Sequence, residues 1–109
     1  MIEWDRVNEL RSEIGDDDFA DVVELFLQEA DDAILRISKI GGAAVLEADL
    51  HFLKGAALNL GFREFAGLCQ EGERLAAVGD CSADLAAVKA SYQRSKAALL
   101  AGQAKVGAA

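Results

Sequence analysis

Apolar positions recur along this chain at intervals of three and four, the period of helices that turn one face inward. Val7, Leu10 and Ile14 predict a short helix over Asp5–Ile14, with Gly15 ending it. Asp16, Asp17 and Asp18 supply a capping, dipole-compatible start for a long second helix. Its stripe runs through Phe19, Val22, Val23, Phe26, Ala30, Ala33, Ile37 and Ile40 as far as Gly41-Gly42. A third helix is predicted over Ala43–Leu60, with Leu46, Leu50, Leu53, Ala57 and Leu60 spaced alternately, and Gly61 closes it as a left-handed cap. The fourth runs over Arg63–Val78 through Phe65, Leu68, Cys69, Gly72, Leu75 and Ala76, and Gly79-Asp80 break it. The fifth starts near an N-cap at Ser82, carries Leu85, Val88, Tyr92, Ala98 and Leu99, and is expected to fray from about Gly102. Connections this short set neighbouring helices antiparallel. One domain over residues 1–109 is expected, an all-α, up-down antiparallel four-helix bundle with a short additional N-terminal helix.

Composition agrees with helices. Proline is absent, aromatics are 6% and hydrophobic residues 52%, enough for one closed core and too poor in aromatics for a β fold. Charge excludes some partners: 11 basic against 19 acidic residues leave a formal −8, a poor match for nucleic acid or an anionic membrane. The chain is too short for a nucleotide-binding kinase and has no phosphate-cradling glycine loop. Cys69 and Cys81 have neither a disulfide framework nor metal spacing; Cys69 falls on an apolar stripe and Cys81 in an exposed turn. No signal-peptide order opens the sequence and no apolar run approaches ~18 residues, so a soluble, cytoplasmic protein with reduced thiols is expected.

Only the third helix departs from what stability alone would choose. With its core stripe at zero and ~100° per residue, Ala44, Ala48, His51, Gly55 and Leu58 fall between roughly 120° and 200°, facing away from the core. Glu47 and Lys54 flank them. A solvated face normally carries Glu, Lys and Gln, whereas this one is small and apolar around the chain's one imidazole, as a contact surface would be. Gly55 costs its helix about 0.5–1 kcal/mol against alanine and lies one turn from His51, where a missing Cβ lets another molecule approach. Lys54, three residues on, can swing towards anything attached to the ring. A neutral imidazole is a nucleophile near pH 7, and an acquired phosphoryl group carries roughly two negative charges that a lysine can neutralise. Phosphoryl transfer asks mainly for positioning and charge stabilisation, so few residues suffice.

The ring also needs orienting. A tight hairpin about Gly61-Phe62 sets residues whose numbers sum to roughly 123 level with each other, which brackets His51 with Gln70 and Glu73. Either could accept from the Nδ1 proton and leave Nε2 free; Glu73 is favoured, because a carboxylate also makes the ring more nucleophilic. The second helix, around Gln28 to Leu35, would complete the docking surface.

His51-Phe52-Leu53-Lys54-Gly55-Ala56-Ala57-Leu58-Asn59-Leu60-Gly61 resembles the HxxKGxxxxxG signature of histidine-containing phosphotransfer (HPt) domains, and Leu68-Cys69 and Glu73 are similar to the family's usual continuation. The resemblance implies a stoichiometric phosphocarrier without ATP site or autokinase activity. His51 would take a phosphoryl group from a receiver-domain phospho-aspartate and pass it to another receiver, with Lys54 steadying the group and Gly55 clearing space. The partners implied are receiver domains of response regulators or hybrid histidine kinases. No cofactor is implied on this chain, with magnesium only on the receiver, and a monomer is expected. Gly72 departs from the family's more usual leucine, which puts the helix packing there in question. A helical adaptor binding through the same face without phosphoryl chemistry is the alternative. A metal-binding bundle is weaker still, since one histidine cannot supply paired Glu-x-x-His units.

Overall fold

Five helices follow the apolar periodicity in a computed structural model: α1 (Trp4–Ile14), α2 (Asp16–Arg36), α3 (Ala43–Leu60), α4 (Arg63–Ala77) and α5 (Leu85–Ala108). The structure describes residues 2–108, and side chains as far as Gly102. The chain is all-α; among the described residues there is no strand, only an isolated antiparallel bridge between Ile2 and Phe62.

Contacts along α3, α4 and α5 pair rising residue numbers with falling ones, the order of antiparallel neighbours. Phe26 and Glu29 of α2 share a groove with Asn59 and Ala56 of α3. Leu50 of α3 lies against Gly72 of α4, and Gly72 in turn against Ala83 before α5. Arg94 of α5 donates to Glu64 of α4, and Asp31 of α2 holds Tyr92 and Lys96 of α5. The molecule is elongated, 47 × 21 × 21 Å.

The core is built from Leu46, Leu50, Leu53 and Leu60 of α3 against Phe62, Phe65, Val88, Tyr92 and Leu99. The Tyr92 ring stands tilted against Phe65 and Phe62, with centroids 5.3 and 6.3 Å away. A buried phenol needs a partner. Its hydroxyl lies 2.6 Å from Asp31 Oδ1 and 3.2 Å from the Leu27 carbonyl, and Lys96 Nζ lies 2.8 Å from Asp31 Oδ2. Burial works against the Asp31 carboxylate, but the hydrogen bonds from Lys96 and Tyr92 outweigh it and hold the carboxyl below its ordinary range. Burial first, then the neighbouring carboxylate, pushes the Tyr92 phenol up.

Several boundaries differ from expectation. α2 stops at Arg36 rather than at Gly41: Ile37 takes extended backbone (φ −61°, ψ 127°) and turns its side chain inward, leaving Ile40 outside the core and 96% exposed. Leu27 and Ile34, off the predicted stripe, are buried, while Val22 and Phe26 are half-buried. α4 stops at Ala77, and Val78 is exposed. The cap of α5 is Asp84, not Ser82, because its carboxylate accepts from Ala87 N at 3.0 Å; Ser82 N is instead held by Asp80 Oδ1 at 2.9 Å. Cys81 is half-buried against the core rather than exposed. α5 continues as helix to Ala108; the side chains of the tail expected to fray lie outside the described residues from 103 onward.

Two contacts tie the N-terminal segment down. Gly61 adopts φ 73°, and the Glu3 carbonyl sits 2.7 Å from where its Cβ would be, while Glu3 N donates to Gly61 O at 2.7 Å. Any other residue there would be strained and would expel the segment. Trp4 lies over Gly102 of α5, on ground that a Cβ would occupy.

Candidate functional site

The α3–α4 hairpin builds the site because its turn is only Gly61-Phe62. Gly61 in the left-handed conformation closes α3, and Phe62 N returns to the Ala57 carbonyl at 2.8 Å, so α4 starts at once and folds back in a fixed register. That register brings the Glu73 carboxylate to His51. Nδ1 lies 2.7 Å from Glu73 Oε1, and since a carboxylate only accepts, Nδ1 carries the proton. Nε2 is left with its lone pair on an imidazole 69% exposed.

Lys54 Nζ lies 2.8 Å from the other oxygen, Glu73 Oε2. The contact is an ion pair off the hydrogen-bonding directions of that oxygen, which has no aligned donor. One carboxylate therefore holds both the imidazole and the ammonium. Glu73 is mostly shielded, with 19% of its side chain exposed. The Lys54 ammonium chiefly, and then the hydrogen bond from His51, hold its carboxyl below the usual glutamate range against the opposing effect of burial. Beneath the pair, burial and then the Glu73 charge push the Cys69 thiol up to about 12, so this sulfur is packing, not a nucleophile.

Of the two side chains bracketing His51, only Glu73 reaches the ring. Gln70, exposed one turn away, lines a second groove with Leu58. Gly55 is open: nothing lies within 4 Å of a Cβ built on it, so no helix crossing within the chain requires glycine there. Ala44, Ala48 and Leu58 are exposed, as are the larger apolar side chains of Val45 and Phe52 on the same helix. Gly72 is explained by Leu50, whose Cδ1 would lie 2.8 Å from a Cβ there; Leu50 and Ala83 together fill the space.

Three residues the sequence did not place at the site, Phe26, Phe52 and Asn59, complete the surroundings with Glu29, which falls in the α2 stretch expected there. Phe26 and Glu29 of α2, with Phe52 and Asn59, line a groove of about 280 Å³ against His51 and Gly55. Asn59 is held from outside by Arg6 of α1, 3.2 Å away. The signal for Phe52 was in the sequence, since a phenylalanine beside an outward histidine falls off the core stripe. For Phe26 the long stripe of α2 hid a half-exposed position.

Among the described residues no group of three or more His, Cys, Asp or Glu side chains is placed to hold a metal ion, and no helix is long and apolar enough to cross a membrane. The arrangement offers instead one oriented nucleophilic nitrogen, one nearby cation and an open surface around them. Comparisons with curated proteins and with solved structures found no match. The family model described as the Hpt domain matches residues 21–98, which include all of α3 and α4. Hpt domains are helical phosphocarriers that work with receiver domains in phosphorelay signalling, rather than catalytic enzymes. A match over this much of the chain settles the assignment: the chain belongs to the Hpt domain family.

Proposed function

We propose that His51 is the phosphoryl-accepting residue, receiving the group from a receiver-domain phospho-aspartate and passing it to the aspartate of another receiver. The observation that carries this is the Nδ1–Glu73 bond of 2.7 Å beneath an exposed Nε2. Nε2 attacks phosphorus, the N–P bond forms, and the P–O bond to the aspartyl carboxyl breaks, releasing a carboxylate. No proton has to leave: Nδ1 keeps its hydrogen, and the positive charge the ring acquires lies against the Glu73 carboxylate. Lys54 exchanges its poorly aligned contact with Glu73 for the incoming phosphoryl oxygens, supplying a point charge on a flexible stem. Gly55 and the small residues Ala44 and Ala48 leave room for the partner's backbone.

Any magnesium ion belongs to the receiver, and the carrier works as a cytoplasmic monomer. Incubation with a phosphorylated receiver tests the reading. It predicts acid-labile label on the chain, abolished in His51→Ala. Binding that survives this substitution with no label on the wild-type chain would leave an adaptor and remove the carrier.

A further inference from the structure

Four helical glycines, Gly55, Gly67, Gly72 and Gly102, lie where side chains are described, and their surroundings divide them. A Cβ on Gly72 would meet Leu50 and Ala83, and one on Gly102 would run into the Trp4 ring, so packing inside the chain accounts for both. Nothing lies within 4 Å of a Cβ on Gly55 or on Gly67. Neither has left-handed backbone, so each weakens its helix with no return inside the chain. Gly55 belongs to the His51 face. Gly67 sits on α4 at the same height, since the pairing of Leu50 with Gly72 sets it opposite Gly55, and that face does not account for it.

Gly67 lines a groove of about 630 Å³, with Ala57, Leu58 and Ala66 along it and α1 as the far wall. The groove is continuous with the docking face through Leu58, which stands on both, ~10 Å along α3 from His51. Gln70, one turn from Glu73, lines it as well. Its arginines are already engaged: Arg63 with Glu3 at 3.1 Å, and Arg6 with Glu9 and Asn59. The groove therefore offers apolar surface and close backbone approach with no free cation; among the described residues the Asp5 carboxylate on the α1 wall is its one charge without an ion-pair partner.

Resting on the phosphotransfer reading, we propose that this groove is a second contact for the receiver domain that reaches His51. It takes a main-chain stretch of that domain past Gly67, with one apolar side chain laid over Leu58. A receiver centred on His51 and extending along the hairpin reaches position 67, where a side chain would stand in its path.

Two donors test this on the full chain. One is a receiver domain charged with acetyl phosphate, chosen as the fastest donor to the wild type. The other is phosphoramidate, a small donor that needs no docking surface. Gly67→Gln is expected to cut the rate from the receiver at least about tenfold while phosphoramidate labels it at the wild-type rate, with no fall in Tm. Gly67→Ala, with a single methyl in open space, should fold at least as well and lose less. Receiver transfer to Gly67→Gln at the wild-type rate overturns the groove. Equal loss with both donors also overturns it, since that means a damaged His51 site. A wild-type dimer that Gly67→Gln dissolves overturns it too, by seating a second copy there. No label on the wild-type chain from either donor brings down the phosphotransfer reading itself, and the groove with it.

Discussion

Glu73 is the residue whose removal tests the chemistry apart from the docking. Its Oε1 accepts from Nδ1 at 2.7 Å, and its charge faces the ring that becomes cationic when Nε2 takes phosphorus. A hydrogen bond to a charged group contributes about 1.5–3 kcal/mol where water is excluded. Here the imidazole is largely solvated while the carboxylate is mostly shielded, so the lower end applies. That is about 1.5 kcal/mol, or roughly tenfold in rate. Glu73→Ala is therefore expected to label from phosphoramidate about ten times more slowly than wild type, because the ring loses its tautomer and its counter-charge. Glu73→Gln keeps an amide oxygen that can accept from Nδ1 but no charge, and should fall between the two. Quench-flow or gel labelling at several donor concentrations gives the rates, and circular dichroism shows that the variants fold. A Glu73→Ala chain that labels at the wild-type rate would refute the orienting role, leaving the 2.7 Å contact a surface ion pair.

Lys54→Ala should slow transfer from a receiver about fivefold, an ion-pair contribution of about 1 kcal/mol at a partly exposed site, and Lys54→Arg should restore less than half because the fork is bulkier. Gly72→Leu, the family's more usual residue, should cost about 1–3 kcal/mol by overpacking against Leu50 and Ala83. Gly72→Ala should be near neutral, since the Leu50 methyl can swing and the helix gains about 1 kcal/mol; thermal denaturation reads both. Tyr92→Phe should lower stability by about 1–1.5 kcal/mol, a Tm loss of about 4–8 °C per kcal/mol, because Asp31 and the Leu27 carbonyl lose a buried donor. Because the Asp31 carboxyl titrates below its ordinary value in the folded chain, its contribution is complete above the unfolded value of about 3.9 and is lost as pH falls through the folded one. Urea unfolding of Asp31→Asn should accordingly show a flatter acid limb below about pH 4 than wild type.

The helices were legible wherever one face carries the whole pattern, as in α3, whose expected span Ala43–Leu60 is the observed one. α2 was legible only in part. Ile37 and Ile40 both fit a 3.6 period, and no local rule says that the chain leaves the helix so that one goes inward and the other out. The cap of α5 was misplaced because Ser82 and Asp84 are both good caps, and which one faces the first free N–H depends on where the α4–α5 connection lands. At the site, the α3 residues could be placed from helical geometry alone. The partner on α4 needed the hairpin register as well, and a one-residue slip there exchanges Glu73 for a neighbour.

The same register explains why the motif's second glycine lies ten residues from its histidine and outside the chemistry. Gly61 makes no contact with His51, yet it fixes which α4 residue can reach Nδ1. Its φ of 73° ends α3 within one residue, and its missing side chain leaves room for the Glu3 carbonyl that anchors the N-terminal segment. Replacing it by alanine would strain the turn by about 1 kcal/mol and push against that carbonyl at 2.7 Å. The expected result is a slower labelling rate at a site with all its own side chains intact, since a loosened hairpin lets Glu73 drift from the ring. Gly61→Ala that unfolds earlier yet labels at the wild-type rate while folded would show that the turn serves stability alone. In that case the carboxylate would be placed by the packing of Leu50 against Gly72 instead.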